Sequence, residues 1–189
     1  MSRAVHEQTS EQTAATIPHA EGVSEDEFKA AMARLAAGVV LVTAHDPDEG
    51  PHGEDVGMTA TAFLSVSLEP PLVMVSVRDG SRMDEVLSRQ SLWGASLLTE
   101  AQRRTAGRFA MKGRLSDRLL FQDLPHDHGA ATGAPLVRDA LAVLECRTEQ
   151  RVPAGDHTLV IARVLSAQVP HHGDPGPLLY FRGRYRALS

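Results

Sequence analysis

The chain of 189 residues contains little cysteine and little lysine, and it has no long apolar run. Its one cysteine, Cys146, cannot form an internal disulfide. It shares an alternating face with Ala142 and Leu144, which favours a buried structural thiol. No neighbour that would activate a catalytic cysteine is evident beside it. Because no run can span a membrane and the N-terminus lacks a signal-peptide core, we expect a cytoplasmic protein without membrane contact.

An excess of positive charge is also absent. The formal net charge is −5, whereas a nucleic-acid-binding protein normally presents a basic surface, so we expect no nucleic-acid partner. A local basic patch for the phosphates of a nucleotide is still compatible with this charge. The polar residues 1–22 predict a disordered tail. The remainder, residues 23–189, is of a length and composition that favour one globular domain.

The most informative stretch runs from Gly57 to Val75. Alternate positions from Met58 to Leu68 are apolar, and most positions between them carry hydroxyl groups. This period of two predicts sheet structure with one apolar and one hydroxyl-rich face, broken near Phe63 or Ser65. Pairing should end at Pro70-Pro71. The pattern fits an ordinary half-exposed strand, and the alternative is that the hydroxyl groups line a polar ligand site.

The rest of the chain predicts many strands and few, short helices. Short helices are expected to start at the caps Ser24 (with Glu27, to about Ala37), Ser81 and Thr99 (with Gln102), and a brief helical turn is expected from Ser116 to Phe121. Further strands are expected at 39–44, 72–77, 92–98, 141–149, 158–168 and 178–181, with loops at 122–135 and 152–155. No Gly-x-Gly-x-x-Gly opens a helix, so a closed or nearly closed antiparallel barrel fits better than a Rossmann domain.

Three stretches, in order, resemble the signature of the flavin reductase family. They are Gly57-Met-Thr-Ala-Thr-Ala-Phe with Ser65-Val-Ser-Leu-Glu-Pro-Pro-Leu, then Gly155-Asp-His-Thr, then Pro177-Leu-Leu-Tyr-Phe-Arg-Gly-Arg-Tyr. The resemblance extends over roughly Phe28 to Leu188. It implies a mainly β protein with the FMN-binding split β-barrel, an antiparallel Greek-key barrel with a few short flanking helices. It also implies a homodimer with the flavin near the subunit interface.

The family consists of NAD(P)H:flavin oxidoreductases that act as reductase components of two-component monooxygenases. The resemblance therefore implies hydride transfer from NADH or NADPH to N5 of FMN or FAD, and delivery of reduced flavin to a partner monooxygenase. Such transfer needs no protein nucleophile, and the sequence shows neither a G-x-S-x-G elbow nor a paired cysteine motif. Two alternatives stay open: a flavoprotein whose tightly bound FMN reduces or oxidises a small organic substrate, and a non-catalytic flavin- or haem-binding module.

The resemblance assigns flavin contacts to several groups of residues. Those expected to form the wall around the flavin are Thr59, Ala60, Thr61, Ala62, Ser65, Val66 and Ser67. Ser81, at a helix start, is placed to bind a phosphate, and a plain N-cap is the equally compatible alternative; Arg82 would add charge there. Phe109 and Lys112 match a family segment near the phosphate and ring, with a core aromatic and a solvated cation as the alternatives.

His157 is the strongest candidate among the titratable groups. A histidine in Gly-Asp-His at the start of a strand can hydrogen-bond the nicotinamide amide or the reduced flavin, and Asp156 would fix the turn or orient His157. The resemblance places Arg182 and Tyr185 close to the dinucleotide; an exposed strand end is the alternative for Tyr185.

Other histidines and two departures from the family pattern complete the prediction. The pairs His126/His128 and His171/His172 stand in predicted loops without a carboxylate or cysteine at ligand spacing, so we expect no metal site. Ser96 stands where the family often has Asn, and Ala162 where it usually has Gly. Both substitutions bear on the flavin preference.

Overall fold

The computed structural model describes residues 22–111, 116–170 and 175–188. Its strands in chain order are β1 (Ala37–Gly38), β2 (Val40–Asp46), β3 (Glu54–Ala60), β4 (Phe63–Leu68), β5 (Pro71–Arg78), β6 (Leu92–Leu97), β7 (His126–His128), β8 (Pro135–Val137), β9 (Ala142–Ala154), β10 (His157–Gln168), β11 (Leu179–Phe181) and β12 (Arg184–Arg186). Its α-helices are α1 (Glu25–Met32), α2 (Arg82–Arg89), α3 (Arg103–Ala110) and α4 (Asp117–Gln122), and a 3₁₀ turn spans Glu100–Gln102. No helix among these residues is long and apolar enough to cross a membrane.

Seven strands form one antiparallel sheet in the order β3-β2-β6-β9-β10-β5-β4. Six strand spacings in a flat sheet would separate its edges by about 29 Å. The edge strands β3 and β4 are nevertheless joined by only Thr61 and Ala62, a connection that reaches about 11 Å at most. The sheet therefore has to curl until its edges approach each other. Ser76 N donates to Ala62 O at 3.0 Å and holds this crossover against β5.

The curled sheet separates two hydrophobic cores. Trp93, Val75 and Val160 belong to the core between the concave faces of the strands. Leu41, Phe109 and Phe121 belong to the other, in which α3 and α4 pack on the outer face. Because β2 is covered on both faces, consecutive residues from Val40 to Ala44 are buried, whereas β5 buries only alternate residues. The second core fixes α3 beside β3.

The helix starts predicted at Ser24, Ser81, Thr99 and Ser116 are confirmed, but the extent of the first helix is wrong. α1 ends at Met32 with Ala33 as its C-cap, and none of its residues is buried. The apolar side chains of this helix are therefore exposed, with Phe28 56% accessible.

The predicted loops need two corrections. The segment 122–135 contains β7, which pairs with β8, so its histidines stand on a strand. Residues 152–154 belong to β9, and the hairpin to β10 turns at Gly155 and Asp156, with Gly155 in the left-handed region at φ 68°. Pro153 predicts a loop, but pairing along the length of β9 and β10 keeps this residue in the strand. A proline is tolerated in a strand where its nitrogen does not have to donate a hydrogen bond to the neighbouring strand. The chain also forms β12, which the sequence did not predict.

Two further predictions have different outcomes. Cys146 is buried, as expected, and burial, with a smaller contribution from the Glu145 carboxylate, raises the pKa of its thiol to about 12. The predicted tail falls almost wholly in residues 1–21, which lie outside the described residues, as do Lys112, His171 and His172.

Candidate active site

A surface cavity of about 500 Å³ lies where the end of β3 meets α3 and the β11–β12 hairpin. It is lined by Thr59, Thr61, Arg103, Gly107, Ala110, Met111, Tyr180, Gly183, Arg184 and Tyr185. A second cavity of about 460 Å³ shares Thr61, Tyr180 and Gly183 with it, and continues towards Ala62, Arg182 and the exposed apolar face of α1. The two cavities thus adjoin at the crossover between the sheet edges.

The alternation of β3 decides which of its residues reach the first cavity. Thr59 and Thr61 line it, whereas Ala60 between them is 7% exposed and packs in the core inside the sheet. The Thr59 hydroxyl donates to the Ala106 carbonyl of α3 at 2.7 Å. Its proton is therefore used to tie β3 to α3, and only its oxygen lone pairs remain for a ligand.

The β11–β12 hairpin forms the facing wall. Its turn is Arg182-Gly183, with φ of 50° and 71°, the pair of positive values that a two-residue type I′ turn requires. Tyr180 and Tyr185 stand opposite each other, with their rings edge to face at 5.5 Å between centroids. Arg182 N donates to Ala33 O at 2.9 Å, so the hairpin is anchored to the end of α1.

The charge of the two cavities is opposite in sign to that of the whole chain. Their described lining residues include Lys29, Arg103, Arg182 and Arg184 and contain no carboxylate, although the formal net charge is −5. Such a concentration of cations suits the phosphates of a nucleotide. Burial, and secondarily Tyr180, raises the pKa of the Tyr185 phenol against the opposing effect of Arg103, so this phenol is a hydrogen-bond donor at neutral pH.

His157 opens β10 at the hairpin from β9, and its side chain is 39% exposed. Its Nδ1 lies 2.8 Å from Asp156 Oδ1, and this hydrogen bond lowers the pKa of Asp156. Through this hydrogen bond Asp156 can orient the His157 ring. His157 on β10 is paired with Arg78 on β5. Arg78 lies two residues after Ser76, whose N–H donates to the carbonyl of Ala62 in the crossover. Strand geometry therefore places His157 about 10 Å across and about 7 Å along the sheet from the crossover. It stands beside the cavities and does not line them.

The second part of the predicted flavin wall stands apart from both cavities. Ser65 and Val66 are exposed on the edge strand β4, and the Ser67 hydroxyl accepts from Glu69 N at 3.2 Å. A register shift between Ser65 and Ser67 interrupts the pairing with β5.

The predicted phosphate residues at the start of α2 already have protein partners. Ser81 Oγ accepts from Asp84 N at 3.3 Å, so Ser81 is an N-cap. The Arg82 guanidinium lies 2.8 Å from the buried Asp46 carboxylate and 3.3 Å from Glu49. The structure does not bring either residue to the cavities beside β3.

Phe109 occupies the core position that was its alternative reading. It is 3% exposed and packs edge to face on Phe121 at 5.1 Å. Its ring stabilises the attachment of α3 from the side away from the first cavity. The sequence reasoning did not assign Arg103, Gly107 and Arg184 to the site. Arg103 and Gly107 are four apart on α3 and share one face, a signal that the helical period contained.

The comparisons with known proteins agree with this geometry. The model of the flavin reductase like domain matches residues 32–189. The NADH-dependent flavin reductase StyB of Pseudomonas fluorescens is 40% identical, over 84% of this chain and 86% of its own. The reductase component of 4-hydroxyphenylacetate 3-monooxygenase from Thermus thermophilus is 38% identical, over 87% of this chain and 97% of its own.

A solved structure gives the same result for the fold. The NADH:FAD oxidoreductase SgcE6 of Streptomyces globisporus, in complex with NAD and FAD fragments, superimposes with a TM-score of 0.78 at 31% identity, over 90% of this chain and 98% of that one. The mainly β class and the flavin reductase fold that the sequence predicted are confirmed. The chain belongs to the flavin reductase like domain family, and it is a flavin reductase.

Proposed function

We propose that the protein transfers a hydride from NADH to free FMN or FAD and delivers the reduced flavin to a partner monooxygenase. The observation that carries this proposal is the pair of adjoining cavities at the β3–β4 crossover, rich in cations and lined by no described carboxylate. The names of the relatives support NADH as the donor and a monooxygenase as the partner. The walls include the exposed residues Thr61, Met111 and Arg184, which suits a flavin that exchanges with solvent.

The residues present fit a flat ring with a phosphorylated side chain. Thr59, Thr61 and Ala62 form a wall of small side chains and backbone groups against which the flavin ring can lie. Arg103 and Arg184 supply the charge that a phosphate needs, and the Tyr185 phenol supplies a neutral donor.

Hydride transfer is carried by the two nucleotides themselves, and the protein contributes binding, orientation and exclusion of water. One hydride leaves the nicotinamide of NADH and one proton comes from solvent, so NAD⁺ and reduced flavin are formed. His157, with its Nδ1 bonded to Asp156, is proposed to hold the nicotinamide amide or the reduced flavin through Nε2.

The direct test is the rate of NADH oxidation by the purified protein with no added flavin, with FMN and with FAD. We expect oxidation to rise with the concentration of either flavin and to fall when NADPH replaces NADH. Bound flavin that co-purifies, with no stimulation by added flavin, would instead support the flavoprotein alternative. Binding of flavin without NADH oxidation would contradict the proposal and favour the non-catalytic module.

We also infer that the protein is a homodimer. The apolar side chains of α1 and of the edge strand β4 are exposed: Phe28, Met32, Leu64, Val66 and Leu68 are between 46% and 90% accessible. Exposed apolar side chains in this number mark an association site, and a second copy of the chain is its simplest partner. The second cavity is lined partly by α1, so dimerisation would also change the surroundings of the flavin.

The cytoplasm is the proposed location. Cys146, the one cysteine of the chain, is a free and buried thiol, as is usual in a reducing compartment, and NADH is available there as the electron donor.

A further inference from the structure

Three histidines and one aspartate meet at the end of the sheet away from the cavities. His45 Nδ1 lies 2.9 Å from Asp55 Oδ1, and His128 Nε2 lies 3.1 Å from Asp55 Oδ2. His126 Nε2 lies 3.9 Å from the same Oδ2. One ligand atom from each of His45, Asp55 and His128 can be chosen so that all lie within 4.8 Å of one another. The Asp55 carboxylate is thus faced by three imidazoles.

Regular sheet pairing builds this cluster. His45 and Asp55 are directly opposite each other on β2 and β3, where side chains of one face come into contact. His126 and His128 are two apart on β7, so they share a face of that strand. The expectation of no metal site rested on the lack of a carboxylate near His126 in sequence. The fold supplies Asp55 from 73 residues before His128.

The His126 imidazole is oriented as a ligand would be. Its Nδ1 lies 2.7 Å from the Leu124 carbonyl, which can only accept, so Nδ1 carries the proton. In the neutral ring Nε2 then presents a lone pair towards Asp55, at a distance too long for a direct hydrogen bond. A backbone carbonyl that fixes the tautomer of a histidine in this way is the usual outer support of a metal-bound imidazole.

The spacing suits a small tetrahedral ion. Zinc with bonds of about 2.1 Å separates its ligand atoms by about 3.4 Å. The distances from Asp55 Oδ2 to His128 and His126, 3.1 and 3.9 Å, lie on both sides of that value, and His45 lies 2.9 Å from the other oxygen, Oδ1. Asp55 and His126 are largely buried, with side-chain exposures of 16% and 17%, while His128 is 52% exposed and leaves an entry path. His45, Asp55 and His128 already offer ligand atoms within 4.8 Å of one another, and His126 Nε2, 3.9 Å from Asp55 Oδ2, would move inward to complete the set.

We propose that His45, Asp55, His126 and His128 bind one divalent transition-metal ion of the zinc type. Three neutral imidazoles and one carboxylate are donors that zinc accepts, and four protein ligands complete its coordination, as in structural sites. The ion would tie β2 and β3 to β7. Asp55 precedes Thr59 by four residues on β3, so the site is about 13 Å from the flavin cavity. Because of this distance, we expect the ion to affect the stability of the folded protein and not the transfer of the hydride.

The test uses the full-length chain without a polyhistidine tag, stripped with a chelator and titrated with zinc against a chromophoric competitor. We expect one equivalent of zinc to bind and the thermal midpoint of unfolding to rise with zinc. Cobalt(II) in its place should give the intense visible absorption of a four-coordinate ion. Asp55→Asn should weaken zinc binding at least tenfold and remove the zinc-dependent rise in midpoint. His128→Ala, at an exposed position that does not threaten folding, should do the same.

The matched control is the double variant His171→Ala/His172→Ala, which removes the other histidine pair of the chain. It should bind one equivalent of zinc as the parent does. Failure of the parent chain to bind stoichiometric zinc would overturn the proposal and leave a hydrogen-bonded His–Asp cluster. The same conclusion would follow if the double variant lost zinc and the two site variants kept it. Because the readouts are metal content and thermal midpoint, the result does not depend on flavin reduction.

Discussion

At the residue scale, His157 tests the proposed contact with the nicotinamide or the reduced flavin. Its Nδ1 is held by Asp156 at 2.8 Å, so the Ala substitution removes one oriented donor or acceptor and little packing. We expect His157→Ala to lower kcat/KM for NADH by about tenfold or more, since a hydrogen bond to a charged or polarised partner contributes about 1.5–3 kcal/mol. Flavin affinity, measured by fluorescence titration, should change little.

The control for that variant is Asp156→Asn, which keeps the shape of the orienting group and removes its charge. It should lower turnover less than His157→Ala does. If His157→Ala turned over NADH at the parent rate with either flavin, the role assigned to His157 would be wrong.

Cys146 provides a prediction about pH. The pKa of its thiol is raised from 9.0 to about 12, chiefly by burial. Above pH 9.0 the thiol ionises in the unfolded chain but stays protonated in the folded protein, so ionisation favours unfolding. The stability that the neutral thiol contributes is complete below pH 9.0 and is lost as the pH rises towards 12.

We therefore expect the free energy of unfolding in urea to fall more steeply above pH 9.0 in the parent chain than in Cys146→Ala. The difference in slope should approach about 1.4 kcal/mol per pH unit. Both chains carry the same other groups that titrate in this range, so the contributions of those groups cancel when the two slopes are compared. Equal slopes would show that the thiol ionises equally well in the folded protein.

The residues of the site differ in how far the sequence could predict them. Thr59 and Thr61 were predictable, because the period of a strand puts both on the face opposite to Ala60. Phe109 could be read as a ligand contact or a core residue, because its burial depends on Phe121 and Gly57, which local pattern does not bring together. The charge of the cavity was not predictable, since its cations come from α1, α3 and the β11–β12 hairpin.

At the element scale, Gly57 explains why the motif on β3 begins with glycine. A Cβ at this position would lie 2.7 Å from the Phe109 ring and 3.0 Å from Phe121. Gly57→Ala should therefore push α3 and α4 away from β3, at a cost of about 1–3 kcal/mol for overpacking. Because Thr59 is bonded to α3 through Ala106, the first cavity should change as well. We expect a lower urea midpoint and weaker flavin binding.

Gly38→Ala is the matched control, because a Cβ there meets nothing within 4 Å. It should leave both the midpoint and the flavin affinity near their parent values. Parent-like stability of Gly57→Ala would show that the two aromatic rings can move aside without loss.

The elements that the sequence predicted are those with a local cause. The capping boxes at Ser24 and Thr99 and the alternation along β9 and β10 depend on neighbours within a few residues. The polar composition of residues 126–128 predicts a loop, and the segment forms β7 by pairing with β8 across an intervening turn. Pairing with β10 around the turn at Gly155 and Asp156 likewise extends β9 through Pro153.

At the scale of the whole molecule, the class of the fold followed from the number of predicted strands, but its closure did not. The approach of β3 to β4 depends on the strand order β3-β2-β6-β9-β10-β5-β4, which the periodicity of the sequence does not specify.

The association of two chains also could not be predicted from the periodicity of one chain. The apolar alternation of β4 predicted a buried face, whereas within one chain Leu64 and Val66 are 46% and 47% exposed. A second chain would cover the surface that the alternation predicted to be buried.

Replacing Leu64 and Val66 by Glu therefore tests the dimer. Burying two such side chains contributes about 1.5–3 kcal/mol each, so Leu64→Glu/Val66→Glu should raise the dimer dissociation constant by about a hundredfold or more.

Leu119→Glu is the control, because Leu119 on α4 has the same 46% exposure as Leu64 but lies outside the proposed interface. Sedimentation velocity over a dilution series should show a dimer for the parent and the control and a monomer for the double variant. NADH oxidation should fall in step with the dimer fraction, because α1 and the crossover line the second cavity together. A parent chain that sediments as a monomer, or a double variant that stays dimeric, would contradict this interface.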